Sequence, residues 1–290
     1  MKVVITGASG QLGLALSRRL KHAHTVVALT RNELDISDAN ACQARLERER
    51  PDVLLNCAAY TAVDRAEAER DLAFRINAEG PRQLGHACRK LGVLPIHFST
   101  DYVFDGTQRR PYIESDPTSP QSVYGESKLH GELALARECA QHLIIRLSWV
   151  YGNDGANFYR TMLRLASERP ELRVVADQFG VPNYTDDIAD TVAQILSRPK
   201  SDILEKTGLY HLSATGATSW CEFARAIIDG AVLERDVTVQ AISTSDYPTA
   251  AKRPAYSVLD ASRLMATFGL PMPVWQDALQ RCMAARNASA

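Results

Sequence analysis

Five short apolar runs recur along the first half of the chain, each followed by a segment long enough to form a helix. They are KVVITG (2–7), TVVALT (25–30), DVLLNCAA (52–59), LPIHFST (94–100) and HLIIRLSWVY (142–151). Each run is continuously apolar rather than alternating, the pattern of a strand covered on both faces. Helix-like stretches fill the intervals: one over 11–20, one ending near Arg48, one over 71–92 and one starting near Ser122. Repeated βα units of this length imply right-handed crossovers and a doubly wound parallel sheet, so the expected fold class is α/β.

After Tyr151 the pattern loosens. NFYRTMLRLASE, TDDIADTVAQILS and SWCEFARAIIDGA read as helices, GLYHLSA and VTVQAI as strands, and LRVVADQFGVPNY as a short strand plus turn. The tail from Asp260 is mostly helical, and the stretch 197–208 reads as a linker. The expected division is a nucleotide-binding domain over 1–150 and a smaller α/β domain over 151–290. Some segments of the second are expected to pack back on the first sheet.

A 290-residue chain with 46% hydrophobic and 23% charged residues has the composition of a globular protein with a substantial core. Its 33 basic and 34 acidic residues leave a net charge of −1, so no overall basic field draws it to nucleic acid. The run RLERER (45–50) alternates in sign and reads as a solvated helix face. No apolar run approaches the ~20 residues needed to span a bilayer, and the first residues lead straight into a strand without a signal-peptide pattern. The six cysteines form no C-x-x-C pair, which argues against a disulfide framework or zinc site and fits a reducing cytoplasm.

The stretch VVITGASGQLG (3–13) places Gly7, Gly10 and Gly13 between the first strand and the first helix. A glycine turn feeding a helix N-terminus presents backbone N–H groups and partial positive charge, which suits a phosphate; a plain tight turn is the simpler alternative. In SVYGESKLHGE, Tyr124 and Lys128 stand four apart, on one helix face. A cation beside a phenol lowers its pKa from ~10 and fits it for proton transfer to a carbonyl oxygen. Y-x-x-x-K also arises by chance. Ser99, Thr100 and Asp101, however, fall at the carboxyl end of a predicted strand, where open α/β sheets bind ligands. Glycine turn, hydroxyl and Tyr/Lys pair point together to carbonyl reduction with a dinucleotide.

These motifs resemble the extended short-chain dehydrogenase/reductase family, whose fold is Rossmann-like. NCAAYTAVDRAEAE (56–69), STDYVF (99–104), RLSWVYG (146–152), DQFGVPNYTDDIAD (177–190) and YPTAAKRPAYS (247–257) are similar to its dTDP-4-dehydrorhamnose reductase branch, over nearly the whole chain. That branch reduces the 4-keto group of a dTDP-linked deoxyhexose with a nicotinamide cofactor, giving dTDP-L-rhamnose, a sugar donor for bacterial cell envelopes such as lipopolysaccharide O-antigen. The resemblance implies Tyr124 as proton donor to the C4 alkoxide, Lys128 on the nicotinamide ribose and Thr100 on the keto oxygen. It implies a pyrophosphate turn at Gly7, Gly10, Gln11, Leu12 and Gly13, adenine contacts at Asp35 and Ile36, and a cofactor-lining stretch at Ala58, Ala59, Tyr60 and Thr61. Substrate contacts fall on Asp101 and Trp149, with Arg253 offered to the diphosphate. Without the resemblance Trp149 reads as a core aromatic.

Two departures stand out. The second strand ends in Thr30 and Arg31 without the carboxylate that selects NADH, so NADPH is the expected cofactor, with NADH possible. Some relatives bind Mg²⁺ at a dimer contact through a glutamate after the third glycine; Leu14 and Ala15 stand here, so no metal is expected and the chain is a monomer or homodimer. Competing readings are an epimerase or dehydratase, which use the same Tyr and Lys, and a non-catalytic subunit like the beta subunit of methionine adenosyltransferase. Against a dehydratase, Thr100 is followed by a single carboxylate, Asp101, and then Tyr102.

Overall fold

A computed structural model describes residues 1–288. Its centre is a six-stranded sheet, parallel throughout. β1 (Lys2–Thr6), β2 (Thr25–Leu29), β3 (Val53–Asn56), β4 (Leu94–Thr100) and β5 (Leu143–Leu147) are the five apolar runs. A sixth strand from the second half of the chain, Gly208–His211, completes the order 208–211, β5, β4, β3, β1, β2. It pairs in parallel with β5, His211 opposite Arg146.

The strands are apolar at every position because successive side chains face opposite layers, and both layers are covered. Val3, Ile5, Val53 and Leu55 join one core with helices α1 (Gln11–Leu20) and Thr185–Leu196. Val4 and Leu54 join another with α2 (Ala39–Glu49) and α3 (Gly80–Leu91). Thr185–Leu196 is thus a cover helix for the sheet although it lies far along the chain. Arg18 reaches Asp154 at 2.5 Å and Asp186 at 3.3 Å, and Arg19 pairs with Asp190. A third apolar cluster of Tyr151, Tyr159, Phe223 and Trp275 gathers beside the sheet, near a parallel strand pair, Glu171–Val175 with Thr238–Ile242.

Two expectations need correction. The single helix expected over 71–92 is broken: Arg70–Phe74 is α-helical, Arg75–Glu79 forms a π-turn, and α3 follows. The π-turn carries Asn77 inward, where its Oδ1 accepts from Tyr60 N at 2.8 Å and its Nδ2 donates to Ser127 Oγ at 3.0 Å. The inserted residue lets one side chain clamp a loop and a neighbouring helix together. The stretch 197–208 is not a free linker: it contains the short helix Lys200–Leu204, and Ile203 is fully buried in the sheet core.

One buried ion pair ties α4 (Val123–Glu138) to β5. Arg146 and Glu132, 3% and 5% exposed, meet in a bidentate pair at 2.7 and 2.9 Å. Removing one partner strands a charge in the interior. Arg146→Met should therefore lower the unfolding free energy in urea by about 3–5 kcal/mol, and adding Glu132→Met should restore much of it. A single variant as stable as the parent would contradict this.

Candidate active site

β1 delivers the chain into a turn that only glycine builds. Gly7 has φ of +65°, and a Cβ on Gly13 would lie 2.4 Å from Gly7 O and 2.7 Å from Ala8 Cα. Gly13 thus lets the first turn of α1 press against the loop. Gly10 caps α1 without a side-chain acceptor, and the first turn holds no acidic residue. The orphan N–H groups of that turn and its partial positive charge are left for an external anion. The cradle therefore fits a pyrophosphate.

Beyond this turn runs a cleft of about 920 Å³ along the carboxyl edge of the sheet, and every site residue expected from the sequence lines it. Arg31, Asp35 and Ile36 lie at one end; Asp35 is engaged by Ser37 N and Oγ, which hold its carboxyl below the ordinary value. A carboxylate does approach the end of β2: Glu33 accepts from Thr30 N and Oγ1, both at 2.8 Å. Glu33 is turned onto the backbone and does not line the cleft, whereas Arg31 does. Ala58, Ala59, Tyr60 and Thr61 follow β3, with Tyr60 held by Asn77 and its phenol donating to Glu69 at 2.6 Å.

At the middle of the cleft, Ser99, Thr100 and Asp101 terminate β4. Thr100 Oγ1 donates to Asp101 Oδ1 at 3.1 Å and accepts from Tyr102 N at 3.2 Å. Asp101 is 2% exposed; burial raises its carboxyl to about 6, against hydrogen bonds from Ser257 and Thr100, and its Oδ2 has no partner. Ser99 Oγ is buried and equally unpartnered. Ser122 caps α4 by accepting from Gly125 N, which sets Tyr124 and Lys128 on the face toward the cleft.

The spacing alone suggests that Lys128 lowers the pKa of Tyr124. In the protein without ligands, burial raises Tyr124 well above its ordinary value, and the opposing influence is the Thr100 hydroxyl. Lys128 instead donates to Phe98 O at 2.7 Å and lies 3.4 Å from His97 Nε2; burial lowers it to about 8. Desolvation of both groups outweighs their proximity.

The far wall is aromatic. Trp149 takes a left-handed backbone, φ +43°, unusual for a bulky side chain, and stacks on Trp220 at 3.5 Å and 8°. Phe158 packs on Trp220 in turn, at 4.6 Å. The sequence reading missed Trp220 and Phe158, since both sit in segments recognised only as helices, and what brings them to Trp149 is tertiary. Arg253 also lines the cleft, but its guanidinium is paired with Asp64 at 2.8 Å, leaving Nε without a partner. A separate groove of about 1040 Å³, flanked by exposed arginines at Arg160 and Arg235, contains none of the expected residues.

Among the described residues no three His, Cys, Asp or Glu side chains gather as a metal site. Leu14 and Ala15 offer no oxygen ligand after the glycine turn, and Ala15 is buried. All six cysteines are free, and no described helix is long and apolar enough to cross a membrane.

Comparison with known proteins agrees with this geometry. A family model described as the RmlD substrate binding domain matches residues 1–287. A dTDP-4-dehydrorhamnose reductase from Burkholderia thailandensis is 44% identical, over 98% of each chain. A crystal structure of a dTDP-4-dehydrorhamnose reductase from Clostridium acetobutylicum, 38% identical, superposes with a TM-score of 0.93 over 99% of this chain and all of the other. Another, from Bacillus anthracis in complex with NADP, gives 0.92 at 38% identity over 98% and 99% of the two chains. The chain, matched over nearly its whole length by these proteins, belongs to the dTDP-4-dehydrorhamnose reductase family.

Proposed function

We propose that the chain reduces the C4 keto group of dTDP-4-dehydro-β-L-rhamnose with NADPH, giving dTDP-L-rhamnose. The observation that carries this reading is the meeting of Thr100, Tyr124 and Lys128 with the glycine turn in one cleft. Gly7, Gly10, Gln11, Leu12 and Gly13 would hold the pyrophosphate, Asp35 and Ile36 the adenine, and Ala58 to Thr61 the length of the cofactor. When bound, the cofactor supplies the hydride.

The protein's own part is to hold the sugar and deliver one proton. Thr100 donates to the keto oxygen, and Tyr124 protonates that oxygen as it becomes an alkoxide. A desolvated phenol with a raised pKa keeps its proton until negative charge develops beside it. Lys128 binds the ribose hydroxyls and supplies positive charge behind Tyr124. Asp101, with an unpartnered oxygen at the cleft, accepts from a sugar hydroxyl, and Trp149 presents an apolar face to the ring. Arg253 reaches the diphosphate by exchanging its bond to Asp64, a charge-assisted contact suited to the guanidinium fork.

Three outcomes are expected. Tyr124→Phe keeps cofactor affinity, measured by fluorescence titration, and loses about 10²–10⁴-fold in turnover; unchanged turnover removes Tyr124 from the mechanism. Arg31→Ala lowers kcat/KM with NADPH and leaves that with NADH nearly unchanged; a parent enzyme favouring NADH by about tenfold or more contradicts the role of Arg31.

The third outcome trades stability against activity at Asp101. Its folded pKa of about 6 exceeds the unfolded value of 3.8, so its contribution to stability is present below the unfolded value and lost as pH rises through about 6. Asp101→Asn removes that penalty. It should match the parent in unfolding free energy near pH 4, exceed it by about 2–3 kcal/mol near pH 8, and lose activity. A stability difference independent of pH would show that the Asp101 carboxyl titrates as it does in the unfolded chain.

A further inference from the structure

A chain of buried polar groups runs from β1 to Lys128, and its first three members have no part in the chemistry described so far. Thr6 Oγ1 donates to Asn56 Oδ1 at 2.7 Å, and Ala58 N donates to the same oxygen at 3.2 Å. Asn56 Nδ2 is 3.0 Å from His97 Nδ1, and His97 Nε2 is 3.4 Å from Lys128 Nζ. All four side chains are nearly excluded from solvent, none more than 3% exposed.

The donors decide the protonation pattern. With two donors on Asn56 Oδ1, the amide has one orientation, and Nδ2 must donate to His97 Nδ1. His97 is neutral, because burial and the nearby Lys128 charge hold its pKa well below the ordinary value. A neutral imidazole that accepts at Nδ1 carries its proton on Nε2. That N–H faces Lys128 Nζ. A lysine ammonium has donors only, so the contact becomes a hydrogen bond only when Lys128 is an amine and accepts from Nε2–H.

We propose that Thr6, Asn56 and His97 form a tautomer lock, in which His97 is a positioning residue that presents an N–H to Lys128 and so eases the loss of its proton. The other groups facing Lys128 do not act this way. Cys57, beyond the end of β3, is kept a neutral thiol by burial, and Phe98 offers a carbonyl that favours the ammonium. From its own helix come neutral Tyr124 and Glu132, whose carboxylate favours the ammonium but is shared with Arg146 of β5. The lock lets a lysine that must be charged to hold the ribose and back the phenol exchange its proton near neutral pH.

The inference rests on the functional reading of Lys128, but its first test needs no turnover. Long-range ¹H–¹⁵N correlation spectra of the ¹⁵N-labelled protein without ligands should show His97 as the Nε2–H tautomer from about pH 6 to pH 9. A proton on Nδ1, or an imidazolium, overturns the lock whatever the enzyme does.

The second test reverses the lock. In Asn56→Asp, the carboxylate keeps the bonds from Thr6 and Ala58 and accepts from Nδ1–H, leaving Nε2 to accept from the ammonium. The alkaline limb of NADPH affinity should move up by about one pH unit or more. The double variant Asn56→Asp/His97→Phe keeps the new charge without the imidazole and should lose most of that shift. An equal shift in both variants would assign it to the charge alone and overturn the role of His97. Loss of turnover in Tyr124→Phe with the Nε2–H tautomer present keeps both readings; retained turnover with that tautomer present fails only the functional one.

Discussion

An ammonium group sits almost entirely out of solvent over the carboxyl edge of a parallel sheet, and the arrangement of the cleft follows from keeping it there. Lys128 is 2% exposed. An isolated buried charge is costly, so it must be met by an oriented acceptor, here the Phe98 carbonyl, with the imidazole of His97 beside it. Those groups are in reach because α4 lies close against the neighbouring elements. At Gly131 a Cβ would fall 2.0 Å from Asn77 O, the residue that the π-turn pushes inward. The same Asn77 holds Tyr60 above the cleft and Ser127 beside Lys128. Helix position, π-turn and loop are therefore parts of one solution.

The groups of the site differ in how they hold protons, and burial rather than pairing sets most of the differences. Tyr124 is pushed up, Lys128 down to about 8 and Asp101 up to about 6. Each shift favours the neutral form, as desolvation requires. At neutral pH Lys128 and Asp101 are still mostly ionised, but each lies within about a unit or so of giving up its charge, whereas the Tyr124 phenol keeps its proton.

The sheet was legible because its signal is local. Strands covered on both faces read as unbroken apolar runs, and a glycine turn before a helix states its geometry in a few residues. The placement of Tyr124, Lys128 and Thr100 in one cleft was legible for the same reason, each being fixed by its place in one βα unit. The π-turn, the packed stretch 197–208 and the stack of Trp220 on Trp149 were not, because each depends on a partner distant in sequence. Ile203 reads as one apolar residue among polar ones until the sheet core closes over it. The spacing of Tyr124 and Lys128 put the two on one face, but no spacing shows that desolvation outweighs their proximity. The Asn56–His97 contact joins two strands and carries no sequence signature.

The most direct test of the central claim is to incubate the protein with NADPH and dTDP-4-dehydro-β-L-rhamnose and identify the product by NMR. The account predicts one NADPH consumed for each keto sugar reduced, with a single configuration at C4, that of dTDP-L-rhamnose. A product with the keto group intact, or the opposite configuration at C4, would contradict it.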